Sequence, residues 1–242
     1  MNLNLSTLVT TPDGRGYGYS WHRAMSDLYL VEGWVCVRCS KPPSPGGHSA
    51  SIKFASMNPI ELLSSRRSIR EFSTREVTRA EIETLLEHAV TVPNHRLTQP
   101  WRFFVLGPAA RRAFGLALGA RKARKVDDPA AAEQLRQKVA EEHAALPLMI
   151  AVAIAQNENP EIREEDYATG MMAVQNISLA AVALGLGTHI KTGAVMDDPA
   201  ARTAIGVADG DRIIATVNVG EPATMPSAKP RRSAGDVTRW VP

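Results

Sequence analysis

The stretch SSRRSIREF (residues 64–72) gathers Arg66, Arg67 and Arg70 with Ser65 and Ser68 between them. Guanidinium offers paired donors that match phosphate oxygens, and a serine hydroxyl adds a neutral one. Arg66 and Arg70 stand four apart and share a face if helical geometry carries through the run. The same arginines also have a purely structural reading, because cations near a helix C-terminus complement its dipole by roughly 0.3–1 kcal/mol. A second polar stretch, VPNHRLTQPWRFFV (residues 92–105), sets Asn94, His95 and Arg96 directly ahead of an aromatic run. By residue type His95 is a loop histidine with donors beside it and no triad around it. A third stretch, HIKTG (residues 189–193), puts Lys191 near the end of a strand-like segment, as a second phosphate cation or an ordinary surface lysine. No G-x-S-x-G nucleophile motif occurs. Neither a G-x-G-x-x-G turn after a strand nor a P-loop lysine is present, which disfavours the common dinucleotide and ATP folds.

Strong local signals surround these residues. Asn58-Pro59-Ile60-Glu61 has an N-cap residue, a proline at the first helical position and a glutamate three after the cap, so a helix is expected to run to about Ser68. Thr78 and Glu81 repeat the capping box, and Ile82, Leu85, Leu86 and Ala89 then fall on one helical face, with Pro93 ending the segment. WRFFVLG reads as a strand. Helices are expected near 108–118 and 129–143, and LPLMIAVAIA (146–155) suits a strand covered on both faces. From Tyr167 to Leu184 the chain is apolar on most faces, so this helix must be buried, either centrally or against a second subunit. Glu164, Glu165 and Asp166 read as favourable charge at its N-terminus. GTHIKTG reads as a strand or edge segment, Asp198-Pro199 as the start of a short helix, and 211–222 as a strand and turn. The Pro-rich basic tail, with Trp240 near its end, reads as an anchored arm. The irregular alternation of helices and strands, without βαβ units or internal repeats, predicts an α+β sandwich of helices around a mixed sheet.

Residues 1–56 differ, with Gly and Pro clusters and little periodicity. LYLVEGWVCV suits one strand or hairpin. Both cysteines lie here, in CVRC (Cys36, Cys39), and His22 and His48 could complete a zinc tetrahedron. The spacing matches no common finger, so no metal ligand is assigned. The segment reads as an extension, and a well-formed domain begins just after Met57, which suggests an upstream start codon. The whole chain has 242 residues, 44% hydrophobic residues and a net charge of +3. That suits one domain plus an extension and argues against a nucleic-acid footprint. No apolar run reaches the roughly 18 residues of a membrane span, and no signal pattern opens the chain. A cytoplasmic location is the expectation.

RRSIREF, PNHRLTQPWRFFV and GLGTHIKTGA together resemble the FMN-dependent nitroreductase family, in its small bacterial NAD(P)H nitroreductase branch. The likeness covers residues 57–242 and leaves 1–56 outside. It implies an interlocked α+β homodimer, a central mixed sheet flanked by helices, and two FMN sites at the subunit interface. By motif, Arg66, Arg67 and Ser68 correspond to the first FMN-contacting run, and Arg70 to the basic position at the flavin O2/N1 edge. Thr91 and His95 correspond to the loop that the partner subunit contributes, and Ile190, Lys191 and Thr192 to the late cofactor segment. This chain departs from the family in three places. Leu97 stands where larger members have asparagine, and Thr91 where the small branch often has a basic residue. Ile190-Lys191-Thr192 replaces a Trp-Arg-Ser triplet, so Lys191 keeps the charge and loses the bidentate fork. The implied activity is ping-pong hydride transfer from NAD(P)H through FMN to a nitroaromatic, quinone or similar acceptor, with no obligate protein acid or base. The same fold also hosts flavin-fragmenting enzymes, metabolite-specific reductases and dehalogenases. A zinc-bearing sensing module is the reading from a different class.

Overall fold

The computed structural model describes residues 58–242 in full and, before them, the backbone of residues 5–10, 17–21, 29–31 and 34–36. The chain falls into two compact units, Met1–Ser49 and Ala50–Pro242. In the first, β1 (Leu5–Thr10) pairs antiparallel with β2 (Tyr17–Trp21), and β3 (Tyr29–Val31) with β4 (Trp34–Cys36). The second pair is the hairpin expected in LYLVEGWVCV. The zinc question lies outside the described residues, since it turns on Cys39, His22, His48 and the side chain of Cys36.

Among the described residues, the second unit begins with α1 (Pro59–Ser65) and α2 (Arg79–Ala89), each started by the capping box read from its sequence. Asn58 and Glu61 close the first box; Thr78 and Glu81 close the second. β5 (Trp101–Leu106), α3 (Pro108–Ala123), α4 (Pro129–Ala144) and β6 (Leu148–Ala155) follow. Then come α5 (Pro160–Ala183), β7 (Gly187–Lys191), α6 (Pro199–Ile205) and β8 (Asp211–Gly220). The sheet order is β5-β6-β8-β7.

β6 is the centre of the domain, buried along its length except at Ala155. Its alternation explains how one strand serves two layers. Ile150, Val152 and Ile154 face a core shared with Leu85 of α2 and Val174 and Ile177 of α5. Met149, Ala151 and Ala153 face the opposite core, with Phe114 of α3 and Ala201 and Ile205 of α6. α4 packs on α3 from outside, its Val139 and Ala140 buried.

Several expectations change. The sheet's four strands pair antiparallel throughout, and the parallel component of the expected mixed sheet is a single bridge between Ser68 and Thr188. α1 stops at Ser65 rather than near Ser68, because the following chain is captured by that sheet edge: Ile69 N–H donates to Thr188 O at 2.8 Å. The long helix starts seven residues before Tyr167, at Pro160, capped by Asn159. Its acidic run therefore sits in the second turn. The end of the tail is not anchored among the described residues: Trp240 is 91% exposed and Val241 82%. Among the described residues, no helix is long and apolar enough to cross a membrane.

Candidate functional site

The segment after α1 is built to display its charges. Ile69 is buried, and it seats where Gly187 leaves room: a Cβ on Gly187 would lie 2.3 Å from Ile69 Cγ1. Three residues on, Phe72 bridges Pro222, and its ring lies 2.9 Å from where a Cβ on Gly220 would stand. Gly187 and Gly220 are direct partners in the β7–β8 ladder. The end of the sheet is thus flattened so that an extended chain can lie on it. Ser68 and Arg70, on either side of Ile69, are consequently exposed. The helical spacing of Arg66 and Arg70 plays no part, since the helix has ended before Arg66.

These residues line a cavity of about 730 Å³. Arg66, Arg67, Ser68 and Arg70 form one wall, and the tail closes the other with Ser227, Lys229 and Arg231. The tail is tied to the first wall by Ala223 N–H to Glu71 O at 3.0 Å and by Thr224 Oγ1–H to the Glu71 carboxylate at 3.2 Å. Arg67 turns back to donate to Ser64 O at 2.7 Å and Arg66 O at 3.0 Å, so it caps the C-terminus of α1. That is the structural role open to an arginine there. None of the cavity's five basic side chains has a carboxylate partner among the described residues. Glu71, the one acidic residue on the wall, is engaged by Thr224. Cations without carboxylate partners beside hydroxyls are the chemistry that recognises an anion.

The remaining expected site residues do not line this cavity. Thr91 follows α2, where its hydroxyl donates to His88 O at 2.8 Å and receives Asn176 Nδ2 at 3.4 Å. His95 sits in a 3-10 turn, with Nδ1 3.0 Å from Glu165 Oε1. Ile190 packs on the core of α2 and α5. Lys191 is drawn inward, and burial followed by the nearby Lys122 holds its amine below the usual lysine range, while Glu142 opposes. Its charge in turn adds to burial in lowering the imidazoles of His143 and His189. Lys191 is not among the residues lining the cavity. Thr192 follows β7 and is exposed. Sequence reasoning missed Lys229 and Arg231. Their signal was the basic run KPRR, read only as part of an arm.

The model of the Nitroreductase family matches residues 63–221. A Bacillus subtilis protein named "Putative NAD(P)H nitroreductase YfhC" is 31% identical over 176 residues, covering 73% of this chain and 90% of that one. An Escherichia coli protein named "Putative NAD(P)H nitroreductase YdjA" is 29% identical, with 69% and 89% covered. Among solved structures, a nitroreductase-like protein from Bacillus cereus superposes with a TM-score of 0.67 at 23% identity, over 76% of this chain and 96% of that one. A Desulfovibrio desulfuricans protein described as "a putative nitroreductase in complex with fmn" gives 0.59 at 24%, over 77% and 99%. The solved structures share the fold; the family match carries the assignment. The arginine run along the edge of the sheet lies within the matched span, and the chain belongs to the nitroreductase family.

Proposed function

We propose that residues 57–242 form an FMN-dependent NAD(P)H oxidoreductase that works as a homodimer with its two flavin sites at the subunit interface. The observation that carries this is the cavity at the end of the sheet, whose cations have no carboxylate partner among the described residues and which fits a ligand bearing a phosphate. Arg66, Ser68, Lys229 and Arg231 would hold the phosphate end, and Arg70 would place positive charge at the ring. Bound FMN would supply two-electron hydride chemistry, from NAD(P)H to an acceptor such as a nitroaromatic or quinone, in a ping-pong sequence. The chain's own groups bind and orient, and none of them is required to move a proton.

The dimer is supported by what a single chain leaves uncovered. Ile60 and Leu63 of α1, Leu97 of the 92–105 loop and Trp240 of the tail are all exposed apolar residues. Obligate homodimer interfaces resemble a domain core and cover such surface. In that assembly we place Thr91 and His95 at the partner's flavin, which accounts for their absence from the lining of their own chain's cavity. Ile190 and Thr192 lie at the end of β7, next to the edge that Ser68 occupies. Lys191 is left out of the phosphate set, because it does not line the cavity.

An absorbance spectrum of the purified protein, followed by NADH and NADPH titration, tests the reading. The expected result is a yellow protein bleached by at least one donor. A colourless protein that takes up no FMN would refute it.

A further inference from the structure

The loop carrying His95 is held in an uncommon shape. Arg96, Leu97 and Gln99 have φ of 64°, 51° and 45°, all in the left-handed region that side chains other than glycine and asparagine avoid. Such a conformation persists only where surrounding contacts enforce it. The contacts come from the first turns of α5. Glu165 divides its carboxylate: Oε1 lies 3.0 Å from His95 Nδ1, and Oε2 accepts from Arg96 Nε at 3.2 Å. Glu161, one turn earlier on the same helix face, accepts from Arg96 at 3.3 Å. Asp166, buried, accepts from the Thr98 hydroxyl. Asn94 Oδ1 closes the loop on itself by accepting from Gln99 N–H at 2.7 Å.

The His95 contact also selects a ring nitrogen. A carboxylate oxygen only accepts, so Nδ1 carries a hydrogen, and Nε2 is left without a partner among the described residues. The ring is 69% exposed, so this atom is available to a ligand. We infer that Glu165 is a positioning residue for cofactor binding: it fixes His95 with Nδ1 tied to α5 and Nε2 presented outward, and it pins Arg96 so that the loop keeps this shape. The inference rests on the reading above, in which His95 reaches FMN. The carboxyl of Glu165 is held below its ordinary range by the His95 hydrogen bond first and then by Arg96, against desolvation, so it is ionised at neutral pH as the clasp requires.

The test is FMN titration of apo-protein for wild type, His95→Ala, Glu165→Ala, Glu165→Gln and the His95→Ala/Glu165→Ala double variant. Long-range ¹⁵N–¹H correlation of the His95 ring accompanies it. Glu165→Ala should raise the FMN Kd about tenfold, the scale of an orienting partner. His95→Ala should do the same, and the double variant should lose no more than either, because Glu165 acts through His95. Glu165→Gln, which keeps the shape and an acceptor, should fall between and guards against a folding defect. Wild type should show the Nδ1–H tautomer, and Glu165→Ala should lose that bias. Additive losses, wild-type affinity in Glu165→Ala, or an Nε2–H tautomer in wild type would overturn the inference. Wild-type affinity in His95→Ala overturns it too, while leaving the flavin reading intact. A wild-type chain that takes up no FMN overturns both.

Discussion

Replacing Gly187 by alanine tests how the fold builds the site. The new Cβ would stand 2.3 Å from Ile69 Cγ1, 2.9 Å from Ile69 Cβ and 3.1 Å from Pro222 Cγ. Ile69 is 1% exposed, so it has no solvent to retreat into, and its N–H is tied to Thr188 O at 2.8 Å. The segment has to lift from the sheet end. Overpacking of this kind costs typically about 1–3 kcal/mol. For a domain of this size each kcal/mol corresponds to about 2–4 °C, so Tm should fall by roughly 2–12 °C. Arg66, Ser68 and Arg70 ride on the same segment, so FMN affinity should fall with it, by about tenfold if 1.4 kcal/mol of the cost appears at the site. Thermal denaturation and flavin-fluorescence titration read the two effects separately. Ile69→Ala alone should cost about 2–5 kcal/mol as a cavity. Combined with Gly187→Ala it should cost less than the sum, because one change makes room for the other. Unchanged Tm and FMN affinity in Gly187→Ala, or strictly additive costs in the pair, would refute this account of the glycine.

Arg66→Ala and Arg70→Ala should each weaken FMN binding by roughly 10- to 100-fold, the range of one charge-assisted hydrogen bond, with little change in Tm; isothermal titration reads this. The Lys229→Ala/Arg231→Ala pair should weaken FMN and flatten the salt dependence of its Kd, measured by the same titration at increasing ionic strength. Burial, with Lys191 adding, holds the imidazoles of His143 and His189 below the ordinary 6.5 in the folded chain. The unfolded chain then binds more protons as pH falls toward and below 6.5, so stability present above that value is lost as pH drops to the folded values. Urea denaturation should show this loss as pH falls through and below about 6.5, and His143→Leu should reduce the slope. Thr78→Ala removes an N-cap that accepts from Glu81 N–H, and it should cost about 0.5–2 kcal/mol in the same urea experiment.

The sequence by itself determined what local chemistry determines. Capping boxes at Asn58 and Thr78 start their helices because the bonds lie within one turn. LPLMIAVAIA is a buried central strand because apolar side chains on both faces can be satisfied only by two cores. The arginine run and the Gln-Pro-Trp loop carried the family. Tertiary structure alone decided where those groups stand. The helix ends at Ser65 because Thr188, distant in sequence, takes the N–H of Ile69, and that edge pairing outbids another helical turn. Lys229 and Arg231 reach the cavity only because the tail after β8 folds back along Glu71. Lys191 carried the right charge in the right motif, yet its placement against Lys122 and His143 depends on how α3 and α4 cover the sheet. Glu165 looked like favourable charge at a helix start. Its contact with His95, seventy residues away in sequence, exists only in the folded chain. Short-range bonds are written in adjacent residues; the meeting of distant side chains is settled by which surfaces the core allows to close.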